Sequence, residues 1–178
     1  MFWRKSRLLI LYSTVDGHTK YICEYISKKL INRKKLKICS LEEAFNISLA
    51  EFDEVLIGAS VRYGYHRKNL YKYILSNKDI LNNKKTAFFS LNLTARKPEK
   101  NSPETNPYIV KFLKKVNWDP TIKEVFAGRL DYPNLDFLNK LAILFIMVIT
   151  NGPKDISKTY ELTDWNRVDK LINSIINF

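Results

Sequence analysis

The sequence has 178 residues, of which 46% are hydrophobic and 13% aromatic, a size and composition that suit one globular domain and exclude a disordered chain. Lys and Arg number 30 against 18 Asp and Glu, and the formal charge of +12 favours an acidic partner: nucleic acid, anionic lipid or a substrate bearing carboxylates. The two cysteines, Cys23 and Cys39, form neither a CxxC pair nor a metal-ligand spacing, which excludes a disulfide framework and leaves both as small core residues.

Residues 1–7 form a short basic extension without the apolar stretch of a signal peptide, and the domain is expected over residues 8–178. Leu8–Tyr12 is continuously apolar and reads as a buried strand. Tyr21–Leu30 carries Ile22, Ile26 and Leu30 on one helical face. Leu36–Leu41 is a second strand, and Phe52–Ser60 a third that ends in small residues. Leu70–Ile80 is helical, with Leu70, Tyr73 and Ile74 on one side. Lys85–Leu91 is a fourth strand, Asn106–Val116 a helix, and Ile122–Leu130 a fifth strand. An apolar helix is expected at about 134–150. Asp164–Phe178 ends the chain as an amphipathic helix. Such β-α alternation argues a parallel sheet with helices on both faces, and ligands of such sheets sit beyond the carboxyl ends of the strands.

The loops at those ends carry the chemistry. Ser13-Thr14-Val15-Asp16-Gly17-His18-Thr19 joins the first strand to the first helix. Hydroxyls and backbone N–H groups at a helix N-terminus favour a phosphate. The loop lacks both GxxxxGK[ST] and GxGxxG, and it contains no cation, so a phosphate there relies on neutral donors. The same residues also suit an ordinary βα turn with Asp-Gly chemistry and a Thr N-cap. Ser60-Val61-Arg62-Tyr63-Gly64 follows the third strand. Ser90-Leu91-Asn92-Leu93 follows the fourth and runs into Thr94-Ala95-Arg96-Lys97. These loops suit a flat heteroaromatic ring, with Tyr63 stacking on it.

Taken together, Ser13–Thr19, Ile57–Gly64, Asn92–Lys100 and Thr163-Asp164-Trp165 resemble the flavodoxin-type protoporphyrinogen IX dehydrogenase family over nearly the whole chain. The resemblance implies a flavodoxin-like, doubly wound, five-stranded parallel sheet of order 2-1-3-4-5 with an apolar helical insert after strand five. It implies FMN as cofactor, held by Ser13–Thr19, Ser60–Gly64 and Ser90–Leu93. It also implies oxidation of protoporphyrinogen IX to protoporphyrin IX in haem synthesis, with electrons passed to menaquinone or ubiquinone. Arg62, Arg67, Arg96 and Lys97 are candidates for pairing with the substrate propionates. His66 is a candidate for proton handling, because an unperturbed imidazole titrates near neutrality.

The insert is bounded by Tyr132-Pro133-Asn134 and Asn151-Gly152-Pro153, and its second half is apolar all round. It falls short of the roughly 20 residues needed to span a bilayer. A helix lying in an anionic membrane surface fits, and relatives associate with the membrane, which implies a peripheral location on the cytoplasmic face of the cell membrane. Burial against the sheet and a homo-oligomer interface are the alternatives. No nucleic-acid-binding motif is present beyond charge itself. The competing functions are a flavodoxin-like electron carrier or general NAD(P)H:quinone reductase, and a cofactor-free basic binding module.

Overall fold

The computed structural model describes residues 5–178, so residues 1–4 of the expected extension lie outside the described residues. In chain order the strands are β1 (Arg7–Ser13), β2 (Lys35–Ser40), β3 (Glu54–Arg62), the two-residue β4 (Tyr65–His66), β5 (Lys85–Leu91), β6 (Ile122–Phe126), β7 (Arg129–Asp131) and β8 (Thr159–Glu161). The helices are α1 (His18–Leu30), α2 (Leu41–Ala44), α3 (Lys68–Asn82), α4 (Pro107–Val116), α5 (Phe137–Ile149) and α6 (Trp165–Ile176).

Five parallel strands pair in the order β2-β1-β3-β5-β6. Alternation along the strands sends side chains to two cores. Leu8, Ile10, Leu56 and Phe89 pack with Ile22 and Ile26 of α1 and with Val168, Leu171 and Ile175 of α6. Leu9, Leu11, Ile57 and Phe88 pack on the other face with Leu70 and Ile74 of α3 and with Ile109 and Phe112 of α4. The Phe89 ring lies across Gly58, its partner in the β3–β5 register, where any Cβ would overlap it. Cys23 and Cys39 are buried and free, as small core residues should be.

At the amino ends of the strands, Lys34 is buried and donates to both carboxylate oxygens of buried Glu54, at 2.7 and 2.6 Å. Two charges removed from water are tolerable there because each satisfies the other.

The structure departs from the sequence reading at two strand ends. The third strand runs on to Arg62 and turns back into β4, pairing Val61 with His66 and Arg62 with Tyr65. Tyr63 and Gly64 are the turn, both at positive φ (50° and 81°), the conformation a two-residue hairpin requires. The expected fifth strand, 122–130, is two strands. Gly128 at φ 79° breaks it, and Arg129–Asp131 leaves the sheet to pair antiparallel with Thr159–Glu161. Between β7 and β8 stands α5, with a small cluster of its own made by Leu130, Tyr132 and Met147.

Candidate functional site

A cavity of about 320 Å³ opens beyond the carboxyl ends of the strands, where a doubly wound sheet receives its ligand. Thr14, Asp16, His18 and Thr19 line it from the β1–α1 loop, Ser60, Val61 and Arg62 from β3, and Leu91, Asn92 and Leu93 from β5. Ala127 to Asp131, Asn134, Leu135 and Ile143 form the remaining wall.

The β1–α1 loop is the polar end. Gly17 adopts φ 79° ahead of α1, with open space where a Cβ would stand, so the backbone conformation alone calls for glycine. The first turn of α1 contains no acidic residue, and its N–H groups face the loop unopposed. Ser13 Oγ and Thr19 Oγ1 are buried, and neither has a hydrogen-bond partner among the described residues. Buried hydroxyls without partners are uncommon, because each forfeits its water bonds for nothing. Two of them beside a helix N-terminus fit an acceptor-rich anion such as a phosphate ester. Asp16 does not oppose such an anion unchecked: its carboxylate is paired with Arg62 at 3.0 Å.

His18 forms the next layer. Its Nε2 is hydrogen-bonded to Thr163 Oγ1 at 3.0 Å and lies 3.6 Å from Glu161. Burial pulls its pKa down, and Glu161 only partly opposes that. Trp165 sets its edge against the rings of His18, Tyr21 and Tyr25, while Asp164 caps α6. The Thr163-Asp164-Trp165 motif thus packs behind the β1–α1 loop and does not line the cavity.

Several expected site residues stand elsewhere. Ser13 lies beneath the cavity wall. Val15 is exposed, and Gly17 serves the turn. Tyr63 is 77% exposed at the hairpin tip and donates its hydroxyl to Asn139 of α5 at 2.9 Å, and its ring, like Gly64, lies outside the cavity lining. Ser90 is buried under the floor, bonded to His66 and Asn92.

Three of the four expected substrate cations also lie outside the lining. Arg67 pairs with Glu42 at 3.0 Å and reaches Thr14 O. Lys97 is half-buried and is not in the cavity lining. Arg96 points inward, donating to Leu93 O at 2.9 Å and to the Thr150 hydroxyl, and so ties the β5 loop to the C-terminus of α5. Only Arg62 of the four borders the cavity.

The proton-handling expectation for His66 is overturned. Its ring is buried on Phe112 (4.7 Å between centroids) and bonded to Ser90 Oγ at 3.0 Å, away from the cavity. Burial pushes its pKa down to about 3, so it is neutral at physiological pH. What sequence reasoning missed is the wall from Ala127 to Asp131. Ala-Gly at the end of a parallel strand was the available signal, obscured by extending the strand through it.

A parallel sheet with this site at its carboxyl edge defines a flavodoxin-type α/β protein, and residues 9–157 match the family model described as Flavodoxin domain. Two relatives extend the likeness over most of the chain. A protoporphyrinogen IX dehydrogenase [quinone] of Leishmania major is 40% identical over 167 residues, covering 93% of this chain and 72% of that one. One of Escherichia coli K12 is 36% identical over 173 residues, covering 95% and 94%. The chain belongs to the family of flavodoxin-type, quinone-dependent protoporphyrinogen IX dehydrogenases. Among solved structures, a flavoprotein in complex with FMN from Lactobacillus acidophilus is similar at 17% identity and TM-score 0.47, covering 68% of this chain and 93% of that one. An archaeal flavodoxin is similar at 16% and 0.44, covering 67% and 82%.

The buried state of His66 has a measurable consequence. Its ordinary pKa is 6.5, so between about pH 6.5 and 3 the unfolded chain holds a proton that the folded chain refuses. The contribution to stability is complete above the unfolded value and is lost as pH falls toward the folded one. Denaturant midpoints should therefore decline through this window, and His66→Phe, which keeps a ring on Phe112, should flatten the slope. An unaltered slope in that variant would remove His66 from the account of acid sensitivity.

Proposed function

We propose that this chain oxidises protoporphyrinogen IX to protoporphyrin IX with FMN and passes the electrons to a respiratory quinone, menaquinone or ubiquinone. Family membership supports a flavin and this reaction. The observation that carries FMN in particular is the pair of partnerless buried hydroxyls, Ser13 Oγ and Thr19 Oγ1, at the N-terminus of α1. They would bind the phosphate together with the first N–H groups of the helix. Arg62 holds Asp16 aside, and Asn92 and the cavity backbone would orient the ring. When bound, the flavin supplies the two-electron chemistry that porphyrinogen and quinone share. Six electrons and six protons leave the substrate in three steps, reducing three quinones to quinols. The residues Leu91, Leu93, Leu130, Leu135 and Ile143 provide an apolar wall for a tetrapyrrole and keep water from it.

Both reactants are lipid-soluble, and α5 offers the matching surface. Phe137, Leu138, Phe145 and Ile149 are each more than 60% exposed, and Met147 alone of the helix is buried. That pattern weighs against the alternative of a helix buried on the sheet. It supports a helix lying in a membrane interface, and with the net charge of +12 the reading is peripheral attachment to an anionic surface, which we place on the cytoplasmic face of the cell membrane. No helix among the described residues is long and apolar enough to cross a membrane.

Anaerobically purified protein is expected to be yellow and to form fluorescent porphyrin from protoporphyrinogen IX when a soluble quinone is added, above an enzyme-free blank. Flavin without porphyrin formation would move the function to an electron carrier or another quinone reductase. Replacing Ser13 and Thr19 by Ala removes two hydrogen bonds to a charged group, each worth roughly 1.5–3 kcal/mol when buried. FMN affinity of the double variant should fall by well over tenfold, and an unchanged Kd would refute the phosphate loop. For the membrane, Phe145→Glu with Ile149→Glu should release the protein from anionic vesicles while FMN stays bound. Retention on the vesicles would refute α5 as the anchor.

A further inference from the structure

Two guanidinium groups border the cavity among the described residues, Arg62 on β3 and Arg129 on β7. Arg62 is committed to Asp16 at 3.0 Å. Arg129 is not so committed. Its single ion pair among the described residues is a long one, 3.6 Å from Nη2 to Asp131 Oδ2. Both oxygens of that carboxylate already accept hydrogen bonds, from Asn134 Nδ2 at 2.9 Å and from the Thr159 hydroxyl at 2.8 Å. No hydrogen bond from the Arg129 guanidinium to another described residue is formed, although the group carries five N–H donors. The acids near it have other work: Glu161, opposite it in the β7–β8 register, accepts from Thr163 N at 2.9 Å and faces His18.

Its backbone is well fixed. Gly128 at φ 79° lodges against Leu91, and the β7–β8 pairing holds the strand, so the guanidinium projects from a rigid stem. Leu130 and Leu135 of the same wall are apolar. An apolar face next to a cation with unused donors matches a flat macrocycle with carboxylates on one edge.

Building on the function proposed above, we infer that Arg129 is a specificity-determining residue that pairs with a substrate propionate at the cavity mouth. The carboxylate would take the fork of donors that Asp131 leaves unused. Arg129 takes part in no electron or proton transfer; it selects the dicarboxylate over neutral porphyrinogens and sets which edge of the ring faces outward.

The test compares protoporphyrinogen IX with its dimethyl ester, using holoenzyme and a soluble quinone in detergent, for wild type, Arg129→Gln and Arg129→Lys. Loss of a charge-assisted bond should raise KM for the diacid by about 10- to 100-fold in Arg129→Gln, with kcat little altered. The wild-type preference for the diacid over the diester should collapse in that variant and return in part with Arg129→Lys. Protoporphyrin IX binding, followed by fluorescence in the absence of quinone, should weaken in parallel. A variant whose KM for diacid and diester rise together, or that keeps the diacid preference, overturns the assignment. Porphyrin formation by the wild type separates that outcome from failure of the function itself. If the wild type forms no porphyrin and binds none, the function and the Arg129 pairing fall together. Should Arg129→Gln unfold, the diacid preference of Arg129→Lys decides the matter.

Discussion

Leu8 to Leu11 have no exposed surface at all, and the rest of the molecule is arranged around that burial. A strand flanked by β2 and β3 and covered on both faces can carry only apolar side chains, since a polar one would lose its water without compensation. Polar function is therefore driven to the strand ends. At the amino end, Lys34 and Glu54 neutralise one another. At the carboxyl end, Ser13 and Thr19 keep their hydroxyls without partners among the described residues, Thr19 in the cavity lining and Ser13 beneath its wall. The two ends differ: one is satisfied within the fold, the other leaves donors unpaired beside a cavity.

The insert shares in that carboxyl end. Two polar ties hold α5 to the sheet loops: Arg96 to Thr150 at its C-terminus, and Tyr63 to Asn139 near its start. Gly152 packs directly against Arg96 and Met147, leaving no room for a side chain. Through Ile143, the helix also contributes to the cavity wall. The apolar surface offered to solvent and part of the cavity wall thus belong to one helix, which places an exposed apolar side and a cavity-lining side within a helix diameter of each other.

The alternating pattern of Leu8–Tyr12, Lys85–Leu91 and the long helices was legible because burial on both faces and helical periodicity leave strong marks in sequence. The turn between β1 and α1 was legible too, as hydroxyls and Gly17 between strand and helix. Which arginines border the cavity was not. Arg96 has the same neighbours in sequence as a ligand-binding arginine, and only tertiary contact with Thr150 shows it to be a tie. His66 lies beside a solvent-exposed turn in sequence, yet β4 pairing sends its ring into the Phe112 core. Arg129 was hidden for the opposite reason. The sequence there continues the pattern of a strand, while Gly128 redirects the chain.

The short β7–β8 pairing has a consequence for how such a protein could have arisen. Arg129 and Glu161 lie side by side, so the whole excursion between them departs and returns at one place on the scaffold. Closing such a detour costs chain entropy that grows only slowly with its length. Its own apolar cluster of Leu130, Tyr132 and Met147 is separate from the two sheet cores. The excursion is in effect a graft, stitched at its neck. The outer part of such a detour could lengthen or shorten in evolution while the five-stranded sheet stays intact, whereas its neck, which sends Arg129 to Asp131 to the cavity wall, is bound to the site.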